Sequence, residues 1–170
     1  MSLNNLNSII LPCIPIGHRD SGMISFKDIH KEYDVITEEK VRKIKDFNFA
    51  LLFSAIQNKF NNEVDDDVFD FNKEYRVCIR LTEMVSGKSR DLDTFLTKEK
   101  FNKANKETEH LNIMRFTHIC FMNDLDLPQK NGDEQYAVKI LIKEIVGDDT
   151  IDNETDWTIQ SMYLLSLKEE

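Results

Sequence analysis

The sequence predicts a mainly β protein: an antiparallel β-sandwich with two or three short helices, or, as the alternative, an α+β fold. Apolar residues recur with a period of two in several segments, and these segments are rich in β-branched and aromatic side chains. Turn-forming residues separate the segments. A length of 170 residues suits a single domain, in which residues 1–46 form an irregular or helical N-terminal segment and residues 47–168 form the sandwich.

Five segments carry the strand pattern. Residues Phe47–Ala55 alternate in a way that buries an aromatic face, and residues 74–82 show the most regular alternation in the chain. The same alternation appears in Tyr136–Lys143 and in the terminal segment Trp157–Leu167. Residues Leu111–Phe121 are apolar at both odd and even positions, which predicts a central strand.

The turns predict how these strands connect. Ser86-Gly87-Lys88 ends the strand that starts at Tyr75, and Pro128 ends the region that starts at Leu111. Asn131-Gly132 is the strongest hairpin signal in the sequence. We therefore expect an antiparallel meander from Leu111 to the C-terminal strand.

Three segments carry helix signals. Ser25–Asp28 fits a capping box and predicts a helix of at most two turns. Thr37 can cap a helix over Glu38–Lys45, in which early glutamates and late lysines suit the helix dipole. Thr97 can cap a helix over Lys98–Glu109, whose apolar stripe is thin.

The alternating strands also predict a core. Apolar residues that share the period-two spacing should lie on facing sides of two packed sheets. We expect one continuous core from Tyr75, Val77, Ile79, Leu81, Tyr136, Val138, Ile140, Ile142, Trp157, Ile159 and Leu165.

The composition limits the classes of function. The net charge of −9 argues against direct binding of a nucleic-acid backbone. No apolar run reaches the roughly 18 residues of a membrane helix, and no basic n-region of a signal peptide is present, so we expect a cytoplasmic protein that does not bind membranes. Three cysteines, Cys13, Cys78 and Cys120, form no disulfide framework or zinc knuckle, and we expect buried free thiols.

Acidic clusters are the main candidates for a binding site. Asp65, Asp66, Asp67 and Asp70 lie in one cluster, and a second cluster follows Gly147. Carboxylates on converging loops can bind a basic partner or Ca²⁺, although no EF-hand spacing is present. The second cluster includes Asp148, Asp149 and Asp152. We expect no resident cofactor, and calcium is the one cation that the pattern allows.

Motifs of common enzymes are missing from the sequence. The five glycines form no phosphate-binding loop, and no Gly-x-Ser-x-Gly nucleophile elbow occurs. The four histidines, His18, His30, His110 and His118, include no pair at metal-binding spacing within one strand or helix. We therefore expect a protein that is not an enzyme.

The C-terminal part contains a recurring pattern of strands and a polar step. Residues 112–116 (NIMRF), 124–128 (DLDLP) and 132–140 (GDEQYAVKI) give a strand, a polar step that ends in proline, and a second strand. This rhythm is similar to that of uncharacterised bacterial domains of C2-like or immunoglobulin-like shape. The resemblance covers residues 75–168, and it implies a sandwich fold without catalytic residues.

These observations favour a binding or accessory protein. The composition is typical of a low-GC bacterium, its phage or a mobile element, and the acidic charge suits an inhibitor of a host protein that handles nucleic acid. We accordingly expect a protein partner. Two alternatives remain open: a small hydrolase-like enzyme assembled from His18, His118 and loop carboxylates, and a calcium-dependent C2-like binding domain.

Overall fold

The computed structural model of the chain describes residues 6–17, 24–27, 32–56, 69–70, 73–98, 113–128, 134–146 and 157–169. The described residues contain eleven strands. Their bounds are β1 (Leu6–Pro12), β2 (Ile14–Gly17), β3 (Ile24–Lys27), β4 (Tyr33–Glu38), β5 (Val41–Ile56), β6 (Tyr75–Glu83), β7 (Ser89–Leu96), β8 (Ile113–Leu127), β9 (Tyr136–Glu144), β10 (Thr158–Leu164) and β11 (Leu167–Glu169).

Sheet I is built around the long strand β5. Strand β8 runs antiparallel along one edge of β5, from the pair Arg42↔Leu127 to the pair Ile56↔Ile113. A strand has only two edges, so β1 and β4 share the other edge, with β1 beside the C-terminal half of β5 and β4 beside its N-terminal end. Strand β11 extends the sheet by pairing parallel to β4.

Sheet II contains the four strands β10, β9, β6 and β7 in that spatial order, and all neighbours are antiparallel. Strands β6 and β9 form its interior, with Ile79 directly opposite Ile140. The turn between β6 and β7 contains Gly87 at a φ of 73°, which favours glycine. Strands β2 and β3 form a separate two-stranded ribbon.

The two sheets pack face to face, which confirms the prediction of a mainly β sandwich. Aromatic rings cross the interface: the Phe53 ring of β5 meets the Phe95 ring of β7 edge-on, with 6.0 Å between centroids. Buried apolar residues from both sheets form one cluster. Its largest fully buried side chains include Phe47, Phe49, Ile79 and Ile140.

In strands β5 and β8, the face that is buried in the core switches at the same point along the pair. Asp46 has a left-handed φ of 48°, while the register stays constant from Lys45↔Asp124 to Phe47↔Met122. The buried side chains lie at positions of different parity before and after this point, as Ile44 and Phe47 in β5 show. The Asn48 side chain accepts a hydrogen bond from the Met122 amide at 3.1 Å, which links the two strands next to this point.

The predicted core is confirmed for eight residues, which all lie in β6 and β9. These strands are neighbours within sheet II, so the expectation that the residues face each other across two sheets was wrong. Ile159 is 52 % exposed, because the register of β10 shifts between Ile159 and Ser161 and changes which side chains face inward. Leu165 packs against the core and Trp157 is half-buried.

Two of the three helix expectations fail where the structure describes the residues. Segment Glu38–Lys45 is a hairpin between β4 and β5, and residues 25–27 belong to strand β3. The N-terminal segment 1–46, expected to be irregular or helical, contributes β1–β4 and the start of β5. Thr97 and Lys98 have helical backbone, and the Thr97 hydroxyl accepts a hydrogen bond from the Tyr75 amide at 3.1 Å. Residues 99–112 lie outside the described residues.

The connections near the C terminus also differ from the meander. Among the described strands, β8 pairs with β5 alone. The described part of the predicted strand Leu111–Phe121, from Ile113 on, is therefore at an edge where a central strand was expected. Strand β9 belongs to the other sheet and does not pair with β8 over the described residues, so the expected hairpin between these strands was wrong. Asn131 and Gly132 themselves lie outside the described residues. The breaks at residues 86–88 and at Pro128 are confirmed, since β6 ends at Glu83 and β8 at Leu127.

The three cysteines are buried and form no disulfide, as the sequence predicts. Burial raises the pKa of the Cys13 thiol, and burial together with the nearby Asp91 carboxylate raises the pKa of the Cys78 thiol to about 12. Both thiols are therefore neutral at physiological pH and unreactive.

Among the described residues there is no helix with the length and hydrophobicity needed to cross a membrane.

Candidate functional site

Most of the predicted acidic residues lie outside the described residues. This applies to Asp65–Asp67, Asp148, Asp149 and Asp152, and the role predicted for them stays a prediction. Asp70 is described and half-buried. Its backbone amide donates a hydrogen bond of 2.9 Å to the Tyr75 hydroxyl, so the structure gives Asp70 a local contact at the start of β6.

His118 is the one histidine among the described residues, and it occupies a contact between the two sheets. Edge strand β7 of sheet II lies against β8 of sheet I, and we call this contact the β7–β8 seam. Within the seam, His118 Nε2 lies 2.6 Å from Asp93 Oδ2. Nearer the end of the sandwich, the Arg90 guanidinium donates a hydrogen bond to the Asp126 carbonyl oxygen at 2.5 Å.

Aromatic rings hold the imidazole of His118 in place. The Phe95 ring lies 4.4 Å from the His118 ring between centroids, at an interplanar angle of 32°. Phe95 also meets the Phe116 ring edge-on, and Phe116 stacks on Phe53 at 4.5 Å. Because these side chains are close-packed, the imidazole has little rotational freedom.

Cys120 completes a group of three side chains in the seam that can exchange protons or bind a metal ion. One ligand atom each from Asp93, His118 and Cys120 lies within 4.8 Å of the others. His118 and Cys120 are two residues apart in β8, so both side chains point to the same face of the strand. Cys120 is buried, whereas the Asp93 side chain is 43 % exposed, so the group extends from the core to solvent.

A Cys–His–Asp set can serve two kinds of chemistry. In nucleophilic enzymes, the imidazole activates the thiol and the carboxylate orients the imidazole. Cys120 is only 5 % exposed, so a substrate reaches its sulfur only if the seam opens. The same three atoms are also ligands for a transition metal ion, a use that does not need a substrate to reach the sulfur.

Sequence reasoning anticipated part of this group. The alternative of a hydrolase-like enzyme placed His118 beside loop carboxylates, and His118 meets Asp93, a carboxylate from strand β7. His18, the other histidine of that hypothesis, lies outside the described residues. The His118-x-Cys120 spacing within an apolar strand was the signal that could have identified the pair, because alternate residues share a face.

A pocket of about 320 Å³ opens at the end of the sandwich where β8 ends and β9 begins. Its polar lining is balanced, with two cationic and two anionic side chains, so it has no formal net charge. Its other walls are largely apolar. The lining residues are Leu81, Glu83, Lys88, Ser89, Arg90, Asp126, Leu127, Pro128 and Tyr136.

One of the lining residues, Tyr136, carries an unsatisfied polar group. The residue is 3 % exposed, and among the described residues its hydroxyl is the buried side-chain polar atom without a hydrogen-bond partner. Burial, reinforced by the Glu134 and Glu83 carboxylates, raises the pKa of Tyr136. The hydroxyl is therefore protonated and able to donate a hydrogen bond. A buried polar group without a partner costs about 1–3 kcal/mol, so a ligand that satisfies it would gain affinity.

The β6–β7 hairpin extends the apolar surface beyond the pocket. Met84 and Val85 at its tip are 38 % and 68 % exposed, and they directly follow the lining residue Glu83. The tip is held by hydrogen bonds from the Gly87 amide to the Glu83 carbonyl and from the Glu83 amide to the Lys88 carbonyl. The exposed apolar pair is thus presented on a hydrogen-bonded turn.

Comparison of the sequence with models of protein families and with curated proteins finds no match.

Proposed function

We propose that the protein is a non-enzymatic binding protein, and that the pocket at the end of the sandwich accepts an aromatic side chain with a polar tip from a protein partner. The observation that carries this proposal is the buried, unpartnered hydroxyl of Tyr136, a residue that lines the pocket. Tyrosine and tryptophan combine a large apolar body with one hydrogen-bonding atom, and they are frequent anchors in protein interfaces.

The surroundings of the pocket favour a protein over a free small molecule. A small molecule that fills the pocket leaves the exposed Val85 side chain uncovered. A protein surface can cover the pocket and Val85 together. The chain has a net charge of −9, which favours association with a partner of basic surface. The resemblance to C2-like or immunoglobulin-like domains agrees with recognition at one end of the sandwich, where the loops of such folds gather.

The earlier alternatives are kept as separate predictions. Action in the cytoplasm as an acidic inhibitor of a nucleic-acid-handling protein is compatible with this proposal, because it too requires a protein partner. The calcium hypothesis depends on Asp65–Asp67 and on Asp148, Asp149 and Asp152, and no described contact involves them.

The first test uses 4-fluorophenol, which mimics a tyrosine side chain and is detected by its fluorine NMR signal. We expect specific binding that weakens about three- to tenfold in Tyr136→Phe, because one hydrogen bond is lost. The same substitution should raise the free energy of unfolding of the unliganded protein by about 1 kcal/mol, since it removes an unsatisfied buried group. Tyr163→Phe is the control, because Tyr163 lies in β10 and does not line the pocket.

The second test identifies the source of the bound group. Peptides selected from a random library against the protein should contain tyrosine or tryptophan and compete with 4-fluorophenol. Val85→Ser should weaken the selected peptides while leaving 4-fluorophenol binding unchanged. The proposal is wrong if Tyr136→Phe changes neither affinity nor stability, or if no selected peptide competes with the probe.

A further inference from the structure

The β7–β8 seam brings together three different ligand types for a metal ion. Asp93 supplies a carboxylate oxygen, His118 an imidazole nitrogen and Cys120 a sulfur, and the three atoms lie within 4.8 Å of one another. The residues come from two sheets, so neither strand supplies the full set. We propose that Asp93, His118 and Cys120 bind one zinc ion, and this site is independent of the function proposed for the pocket.

The distances are close to those that a tetrahedral ion requires. Zinc bonds of about 2.0–2.3 Å to oxygen, nitrogen and sulfur place neighbouring ligand atoms about 3.3–3.7 Å apart. The Asp93 Oδ2 and His118 Nε2 atoms are 2.6 Å apart, the distance of a hydrogen bond. Binding therefore replaces the shared proton with the ion and moves the carboxylate outward. Asp93 can make this movement because its side chain is 43 % exposed.

The set of ligand atoms selects the kind of ion. Thiolate and imidazole together favour zinc and similar transition metals, whereas calcium and magnesium prefer oxygen ligands. Three protein ligands leave the fourth tetrahedral position to water, and the exposed side of Asp93 provides access for it. The seam site thus differs in chemistry from the acidic clusters, which supply oxygen alone.

The surroundings support binding by fixing the ligands. The Phe95 ring packs against the imidazole at 4.4 Å between centroids, and Phe116 packs against Phe95. His118 and Cys120 stand on β8, which is hydrogen-bonded to β5 along this stretch. Ligands held by packed neighbours lose little conformational entropy when the ion binds.

Cobalt(II) provides the direct test, since it replaces zinc and its thiolate bonds absorb light. We expect the reduced full-length protein to bind one cobalt ion per chain, with a thiolate-to-cobalt charge-transfer band and visible ligand-field bands. Zinc should displace the cobalt and abolish the absorption. Zinc should also raise the melting temperature, because it binds the folded state.

Variants assign the ligands. Cys120→Ser should eliminate the charge-transfer band, and Cys78→Ser is the matched control because Cys78 is a buried thiol that is not in the group. Asp93→Asn alters a partly exposed side chain, so it tests the site even if Cys120→Ser does not fold. We expect it to weaken zinc binding at least about tenfold. Cobalt that binds without the charge-transfer band, or a band that survives in Cys120→Ser, would overturn the proposal.

Discussion

At the level of individual residues, the ion pair between Arg80 and Asp91 stabilises the edge of sheet II. The two residues are opposite each other in β6 and β7, and the guanidinium donates to both carboxylate oxygens, at 2.5 and 3.3 Å. The hydrogen bond from Arg80 lowers the pKa of Asp91 below its ordinary value of 3.8. A carboxylate with a lowered pKa contributes stability above its unfolded pKa, and the contribution disappears as the pH falls through the folded value.

We therefore expect Asp91→Asn to lower the free energy of unfolding at neutral pH by less than about 1 kcal/mol, because the Asp91 side chain is 48 % exposed and water screens the pair. The difference from the parent should shrink at acidic pH, as protonation of the Asp91 carboxylate in the folded state removes the charge contact. Urea unfolding at the two pH values measures it. Asp34→Asn, at an exposed position of β4, is the control. An equal loss at both pH values would contradict a charge effect.

Among the structural elements, the β4–β5 hairpin has an unusual turn sequence. Its two-residue loop consists of Glu39 and Lys40, with φ values of 48° and 67°. Two positive φ values identify the turn type that asparagine and glycine favour. We expect Glu39→Asn combined with Lys40→Gly to raise the free energy of unfolding by about 1 kcal/mol, because these residues adopt the left-handed conformation at lower cost.

Gly87 in the β6–β7 hairpin allows the reverse substitution, in which a glycine with a positive φ is replaced. Its φ is 73°, and an added Cβ would meet nothing within 4 Å. Gly87→Ala should therefore destabilise through backbone conformation alone, by about 1 kcal/mol. Chemical unfolding of both variants measures the two effects. If Gly87→Ala is neutral, the conformational argument fails for both hairpins.

The same elements explain what the sequence could predict. Period-two alternation identified β6 and β9, because each has one face in the core and few polar residues on that face. It missed β7, where Ser89–Asp93 is almost entirely polar, and with β7 it missed Asp93. The Glu39-Lys40 turn carries no asparagine or glycine, so the charged segment around it was taken for a capped helix.

At the scale of the whole molecule, sequence patterns reveal strands more readily than sheet membership. The Asn131-Gly132 signal predicted that β8 and β9 pair, yet β8 lies in sheet I and β9 in sheet II. Alternation identifies which face of a strand is buried, but that face is the same in either sheet. The pattern therefore does not indicate which sheet contains the strand. The seam group depends on this assignment, because Asp93 meets His118 only when β7 and β8 belong to facing sheets.

Arg42 connects the parts of the sandwich that are far apart in sequence. From β5 of sheet I, its guanidinium contacts Glu134, which precedes β9 of sheet II, and Glu169 of β11, each at 2.7 Å. It also donates a hydrogen bond to the Pro128 carbonyl at 3.2 Å. The Glu134 side chain is 6 % exposed and the Glu169 side chain 44 %, so the two ion pairs should differ in energy.

We expect Arg42→Met to lower the free energy of unfolding by about 3 kcal/mol, because the buried Glu134 carboxylate loses its guanidinium. Adding Glu134→Gln to Arg42→Met should recover part of that loss, since the buried charge is then removed. Glu169→Gln alone should cost less than about 1 kcal/mol, as is usual for an exposed pair. A double-mutant cycle in urea measures the Arg42–Glu134 coupling. Two results would contradict this argument: equal costs for Glu134→Gln and Glu169→Gln, or a double variant that is no more stable than Arg42→Met. In either case, burial of the Glu134 charge does not control the contact. The shared apolar core is then the dominant link between the sheets.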